Sequence, residues 1–264
     1  LSTYFLSDLH IAAPDGPRTE TLLAFLRGLD DAETIYLVGD VFDFWLGYKH
    51  ALFSAMFPLL RTLADLVDRG VRVVLFSGNH DPDPGPFLTK LGLEVHEGPL
   101  EITLSGQRVR LEHGDVIDPR GWAGRLVCKT ARRPAVRALA RLVHPDWAWA
   151  LARRYAHSHS DNRADDYAHA LPSAFFDTYL PEQAARGVDV LVIGHYHRAV
   201  HHRATHAQRP VQLFALGDWV AQRTYLRFSD GQFTLLRHHP HRPDTPLPLG
   251  DHGPESPVGP PAGS

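Results

Sequence analysis

Five short apolar runs in this chain each end in a residue that can bind a cation or move a proton. Thr34 to Val38 runs into Gly39-Asp40, and Tyr4 to Leu6 into Ser7-Asp8-Leu9-His10. Val71 to Phe76 leads to Ser77-Gly78-Asn79-His80-Asp81, and Val109 to Leu111 to Glu112-His113-Gly114-Asp115. Val188 to Ile193 delivers Gly194-His195-Tyr196-His197. Continuous apolar runs of this length read as strands buried on both faces. In layered α/β folds ligands sit just beyond such strand ends. The pattern therefore predicts an α/β chain whose strand tips gather Asp, His and Asn round one point, with Asp40 at its centre.

The stretches between the runs support this. Arg18 to Leu29 places Leu22, Leu23, Phe25, Leu26 and Leu29 at helical spacing, and Ala51 to Asp68 predicts a second helix stopped by Gly70. The β-α-β-α-β alternation argues for a largely parallel sheet. Phe42, Phe44, Trp45 and Tyr48 are expected to pack in the core. Ser105-Gly106 and Asp230-Gly231 are hairpin signals. The segments near Val200, 211–216, 224–228 and 233–236 read as an antiparallel second sheet. Residues 119–172 break the alternation and read as a helical insert. The expected division is a domain over 1–238, insert included, and a proline-rich, disordered tail over 239–264.

Charge matters chiefly in the insert. Between Arg120 and Ser160 lie nine of the 27 basic residues and one of the 30 acids, in a chain of net charge −3. A basic patch on an acidic protein points to an anionic partner. Cys128 is the only cysteine, so no intramolecular disulfide forms. With a strand beginning by Thr3 we expect no signal peptide, and no run has the ~20 apolar residues of a membrane span. The expected location is cytoplasmic.

Asp8 with His10, and His195 with His197, are i, i+2 pairs that would face one side of an extended strand end. Carboxylate, imidazole and amide oxygen together suit Mn, Zn, Fe, Co or Ni better than calcium. The set Asp8, His10, Asp40, Asn79, His113, His195 and His197 is large enough for two divalent ions, with a carboxylate to bridge them. His201, His202, His206, His238, His239, His241 and His252 lack this setting and are expected to face solvent.

With these residues the chain resembles the calcineurin-like metallophosphoesterases. The blocks that carry the likeness are Asp8-Leu9-His10, Gly39-Asp40-Val41-Phe42-Asp43, Gly78-Asn79-His80-Asp81, His113-Gly114-Asp115 and Gly194-His195-Tyr196-His197. The resemblance implies a four-layer α-β-β-α sandwich. It implies one metal on Asp8, His10, Asp40 and His197, and another on Asp40, Asn79, His113 and His195. Gly39 to Trp45, the insert after Asp115 and His197-Arg198 are similar to the UDP-2,3-diacylglucosamine hydrolases, in the branch with Gly-Asn-His-Asp. That likeness covers roughly residues 3–236 and implies hydrolysis of a lipid-linked nucleotide pyrophosphate in lipid A synthesis, with manganese the first choice of metal.

In such an enzyme a metal-bridging hydroxide attacks phosphorus in line. His80, beside Asn79, is the candidate acid for the leaving oxygen, with Asp81 to fix its tautomer. Asp43 and Asp115 fit the role of orienting ligand imidazoles. The insert is the candidate lid for an anionic amphiphile. At its exit Arg153, Arg154, Ser158 and Ser160 are candidate substrate contacts, with Asn79 from the metal loop. Peripheral contact with the inner membrane face follows from such a substrate, and no specific nucleic-acid or protein partner is expected. Two other functions are weighed beside this one. One is a soluble nucleotide phosphodiesterase or phosphatase; the other is a non-catalytic scaffold, which the full ligand set disfavours.

Overall fold

The computed structural model describes residues 1–11, 16–115, 117, 126, 129–130, 132–151 and 171–247. Strands β1 (Ser2–Leu6), β2 (Ala32–Leu37), β3 (Arg72–Phe76) and β4 (Glu94–His96) pair in parallel. Helices α1 (Pro17–Arg27), α2 (Phe57–Asp68) and α3 (Gly85–Lys90) connect them. The second sheet holds β5 (Leu100–Leu104), β6 (Gln107–Glu112), β7 (Val190–Ile193), β8 (Ala199–His206) and β9 (Arg209–Leu216), in the order β5-β6-β7-β9-β8. Here β6, β7 and β9 are parallel, while β5 and β8 join as antiparallel edges.

Period-two alternation builds the layers. Phe5, Tyr36, Val38, Val74 and Phe76 of the first sheet pack against Val109, Leu111, Val190, Val192 and Phe214 of the second. The residues between them, Tyr4, Leu6, Ile35, Leu37, Val73 and Leu75, turn the other way onto Leu22, Leu26, Leu59 and Leu63 of the helices. Leu191, Ile193, Leu213 and Ala215 face Phe175, Leu180 and Ala184. These last belong to a single π turn, Phe175–Tyr179, and the helix α5 (Leu180–Ala185) that continues it. The result is helices, sheet, sheet, helices, and the buried stretches 4–6, 35–38, 73–76 and 190–193 are continuously apolar because both their faces are covered.

Three expectations need correction. The helix expected over 51–68 starts later: residues 54–56 form a 3-10 turn and α2 begins at Phe57. Pro58 has no N–H to give Ser54, so its place is the first turn of a helix, not the interior. Strands β10 (Thr224–Ser229) and β11 (Gln232–Arg237) do not enter the second sheet. They extend the first, with β10 antiparallel to β1 along the edge that the β1-to-β4 order leaves open. The tail is folded at its start. β12 (Thr245–Pro246) pairs with β11, and Asp244 accepts from the Tyr225 hydroxyl at 2.6 Å and the His239 amide at 3.1 Å. Pro246 is tolerated because β12 is an edge. The rest, 248–264, lies outside the described residues.

The insert is described in part. Helix α4 (Pro134–Ala140) and a helical stretch over 145–151 lie against the first sheet's loops. Arg137 bonds Glu97 at 2.8 and 2.9 Å, Arg141 bonds Asp83 at 2.7 and 3.0 Å, and Trp149 stacks on Phe53 at 5.0 Å. Leu126, Leu139, Leu142, Val143, Trp147 and Leu151 are exposed. Arg153, Arg154, Ser158, Ser160 and Trp122 lie outside the described residues. Among the described residues no helix is long and apolar enough to cross a membrane.

Candidate metal centre

The C-terminal ends of β1, β2 and β3 meet those of β6 and β7, and the seven residues named from the sequence come together there. Asp8 Oδ1 lies 3.2 Å from His197 Nε2 and 3.9 Å from His10 Nε2, and the two imidazole nitrogens are 3.2 Å apart. Asp40 Oδ2 is 3.8 Å from His10 Nε2 and 3.3 Å from His113 Nε2. Asn79 Oδ1 is 3.1 Å from His113 Nε2 and 3.0 Å from His195 Nδ1. Two clusters of donor atoms thus share one carboxylate oxygen, that of Asp40. Three groups, Asp8/His10/His197, His10/Asp40/His80 and Asp8/Asp40/His113, have ligand atoms within 4.8 Å of one another.

The convergence does not come from extended strand ends, as the i, i+2 argument supposed. Asp8, His10, Asp40, His195 and His197 all have left-handed backbones, with φ of 53°, 45°, 51°, 71° and 50°. Each is a sharp turn that tips its side chain out of the strand line. Non-glycine residues held there are strained by about 1–3 kcal/mol each, a device typical of functional sites. The periodicity of a strand carries no trace of it.

The backbone then decides which atom of each ligand is available. Asp8 Oδ2 accepts the His195 amide at 2.9 Å, and Asp40 Oδ1 accepts the His80 amide at 2.8 Å. The other oxygen of each carboxylate faces the imidazoles. His113 donates Nδ1–H to the Val38 carbonyl at 2.9 Å, which leaves a lone pair on Nε2 aimed at Asp40. Lone-pair atoms meeting at 3.2–3.3 Å repel unless a positive charge lies among them. Asp8 Oδ1 is buried and faces the nitrogens of His197 and His10. This donor set fits a pair of divalent cations.

The electrostatics agree. Burial opposes ionisation of Asp40, yet the His113, His80 and His10 imidazoles hold its carboxyl well below the usual range. Asp8 is drawn down to about 2 against its burial, by His197 and His113. Burial disfavours charge on His113 and His197, but Asp40 and Asp8 raise both above the ordinary imidazole value. Cations entering the site must displace those protons. Metal loading should therefore strengthen as the pH rises through and above the ordinary imidazole range. Manganese titration at a series of pH values checks it, and pH-independent loading would show both rings already neutral.

Three second-rank assignments change. Asp81 does not face the His80 ring. It is buried and accepts the amides of Gly78 (2.7 Å), Val41 (2.9 Å), Asp40 (3.2 Å) and Phe42 (3.3 Å), while burial and the Asp40 charge push its carboxyl up to about 6. The His80 ring bonds the Asp43 carbonyl instead, Nδ1 to O 3.0 Å. Asp115 pairs with Arg132 of the insert at 3.1 Å, and a backbone carbonyl orients His113 in its stead. Asp43 does lie near a ligand ring, its Oδ1 3.6 Å from His10 Nδ1. His201 is buried rather than solvated, stacked on Phe214 at 4.0 Å.

Sequence reasoning passed over Asp218. Its Oδ2 lies 3.7 Å from His197 Nδ1 and its Oδ1 accepts the amides of Ala221 (2.7 Å) and Gln222 (2.9 Å). The signal was present: Phe214 to Leu216 ends in Gly217-Asp218, the same grammar as Val38-Gly39-Asp40. Gly78, part of the Gly78-Asn79-His80-Asp81 block, has a steric role that the sequence does not show. A Cβ there would collide with the Asp40 carboxylate and amide. Gly78→Ala should therefore displace Asp40, with an overpacking penalty of about 1–3 kcal/mol and metal affinity reduced roughly 10–100-fold. Equilibrium dialysis with manganese measures it; parent-like affinity would show that the loop yields freely.

The profile of the calcineurin-like phosphoesterase family matches residues 1–199. A UDP-2,3-diacylglucosamine hydrolase of Porphyromonas gingivalis is 32% identical over 246 residues, covering 84% of this chain and 92% of that protein. One from Stenotrophomonas maltophilia is 30% identical, covering 89% and 98%, and one from Azotobacter vinelandii 29%, covering 94% and 100%. The matched span holds every strand end that feeds the two clusters, and on that ground the chain belongs to the calcineurin-like phosphoesterases, metal-binding hydrolases of phosphate esters.

Proposed function

We propose that this hydrolase cleaves the pyrophosphate of UDP-2,3-diacylglucosamine or a similar nucleotide-linked lipid. The observation that carries the reading is a pair of buried donor clusters sharing Asp40 Oδ2, beside an insert with exposed apolar side chains. The names of the relatives support the substrate class. Asp8, His10, Asp40 and His197 hold one divalent ion, and Asp40, Asn79, His113 and His195 hold the other, manganese before zinc, iron, cobalt or nickel. Such ions activate water and neutralise charge on the phosphate oxygens. The chain's own residues do the rest. The left-handed turns aim the ligands before substrate arrives, and the Asp40 carboxylate keeps both clusters in one frame.

His80 protonates the departing phosphate oxygen as the phosphorus–oxygen bond breaks. Its ring lies edge-on to His10, centroids 4.7 Å apart, and the Asp43 carbonyl fixes its Nδ1–H. His80→Ala should lower turnover about 10²–10⁴-fold with metal content unchanged. Loss of one metal in that variant would overturn the role. A leaving group of low pKa needs less protonation and should suffer less.

On this proposal the exposed apolar residues of the insert take the acyl chains and, with the exposed Arg133 among them, rest on the anionic inner face of the membrane. The test is purified protein with manganese, given UDP-diacylglucosamine, a nucleotide diester and a phosphomonoester, with products identified by mass. Release of UMP from the first alone supports the reading, and preference for the monoester sinks it.

A further inference from the structure

A cavity of about 450 Å³ shares a wall with the metal centre. Ser77, His113, Gly114 and Asp115 form its near side, and the turn before β5, the outer face of β6 and Tyr179 of the π turn form the far side. Its volume falls in the roughly 300–1,000 Å³ of small-molecule sites.

Its chemistry is divided. Phe76, Pro99 and Ile117 supply apolar surface. Opposite them Glu112, a buried carboxylate, accepts the Tyr179 hydroxyl at 2.5 Å and Arg110 Nε at 3.3 Å. Arg132, the other guanidinium in the wall, is paired with Asp115, and Glu97 adds a third carboxylate. Glu97 is paired with Arg137, so each of the three carboxylates already holds a guanidinium, and among its described residues the wall offers no free cation to an anion. An alkyl chain would strip water from these charges and give nothing back. What satisfies both walls is a neutral, flat ring bearing N–H and O–H donors.

Resting on the hydrolase reading above, we infer that this cavity seats the nucleoside of the substrate, base against the apolar wall and its ring N–H toward Glu112. The phosphates then lie on the metal side of His113, and the acyl chains lie on the insert. The two ends of the amphiphile part at the metal centre, each to a surface of its own polarity.

Calorimetric titration of the manganese-loaded protein with uridine 5′-monophosphate tests the site, with ribose 5-phosphate as the arm that has the phosphate and sugar but no base. Glu112→Gln removes the acceptor charge. Gly98→Phe puts a ring at the cavity wall, where an added Cβ meets nothing within 4 Å. Each variant should weaken uridine 5′-monophosphate about tenfold or more, the size of a charged hydrogen bond or a lost apolar wall. Ribose 5-phosphate should change little. The KM for a nucleoside pyrophosphate, relative to that for bis(p-nitrophenyl) phosphate, should rise by the same factor. The site is overturned if both variants, folded by thermal melt, bind uridine 5′-monophosphate as the parent does, or if the parent holds the two phosphates equally. If neither ester is hydrolysed but the variants lose uridine 5′-monophosphate, the hydrolase reading falls and the cavity stands.

Discussion

Asp40→Ala should leave the protein without measurable hydrolysis and with less than one metal ion per chain. The reason is the shared oxygen. Asp40 Oδ2 faces His10 on one side and His113 on the other, so its removal opens both clusters at once. Changing an outer-shell partner of a metal site typically reduces affinity 10–100-fold, and a ligand common to two sites should exceed that. The other oxygen adds to the loss, since it holds the His80 amide at 2.8 Å and so fixes the loop that carries Asn79. Asp40→Asn keeps the shape and that acceptor, and should recover folding stability without recovering activity. Elemental analysis beside turnover reads both outcomes. Two metals per chain in the alanine variant would remove Asp40 from the centre.

The second large effect concerns the insert. Trp149 and Ala148 pack into the main body, as an ordinary helical hairpin would. Leu139, Leu142, Trp147 and Leu151 do not: Leu142 is 80% exposed and Trp147 74%. The ring contacts of the insert's two described tryptophans are Trp149 with Phe53 and Trp147 with His144, outside the metal centre. On the proposed function these exposed side chains take substrate tails or lipid rather than the reacting bond. Replacing Leu139, Leu142 and Trp147 together by aspartate should reduce kcat/KM for the acylated substrate by at least 10²-fold. Each methylene left in water forfeits about 0.8 kcal/mol, so a few suffice. Hydrolysis of a small activated diester should stay close to the parent's, because no ligand side chain belongs to the insert. Co-sedimentation with vesicles containing phosphatidylglycerol should fall in parallel. An unchanged rate on the acylated substrate would reject the role, and equal loss on both substrates would show that the insert merely supports the fold. Removing the whole segment is the poorer test, since it would also uncover Phe53 and free Glu97 and Asp83.

Much of the centre was legible because strand burial and metal ligation each leave a short signal, an apolar run and then Asp, His or Asn. Asp8, His10, Asp40, Asn79, His113, His195 and His197 announced themselves this way. Strand partnership was less legible. Nothing in Thr224 to Phe228 says that it will lie beside β1, because an apolar run fits either sheet equally well. The turn Ala207-Gln208, with φ of 47° and 67°, joins β8 to β9 without the glycine or asparagine that marks the turns at 105–106 and 230–231. Asp81 looked catalytic because it stands next to His80. Neighbours in a turn point apart, and the sequence does not say that Asp81 turns onto backbone amides while His80 turns onto the Asp43 carbonyl.

Asp81 has one more consequence. The loop after β2 and the loop after β3 belong to different strands, and no covalent link sets their separation. One carboxylate spans them, taking the amides of residues 40, 41 and 42 on one side and 78 on the other. The gap between Asp40 and Asn79 is therefore gauged by a side chain that touches no cation. Exchanging imidazole for carboxylate at a ligand position of this chain should therefore change which ion enters while the gap between the two loops stays the same.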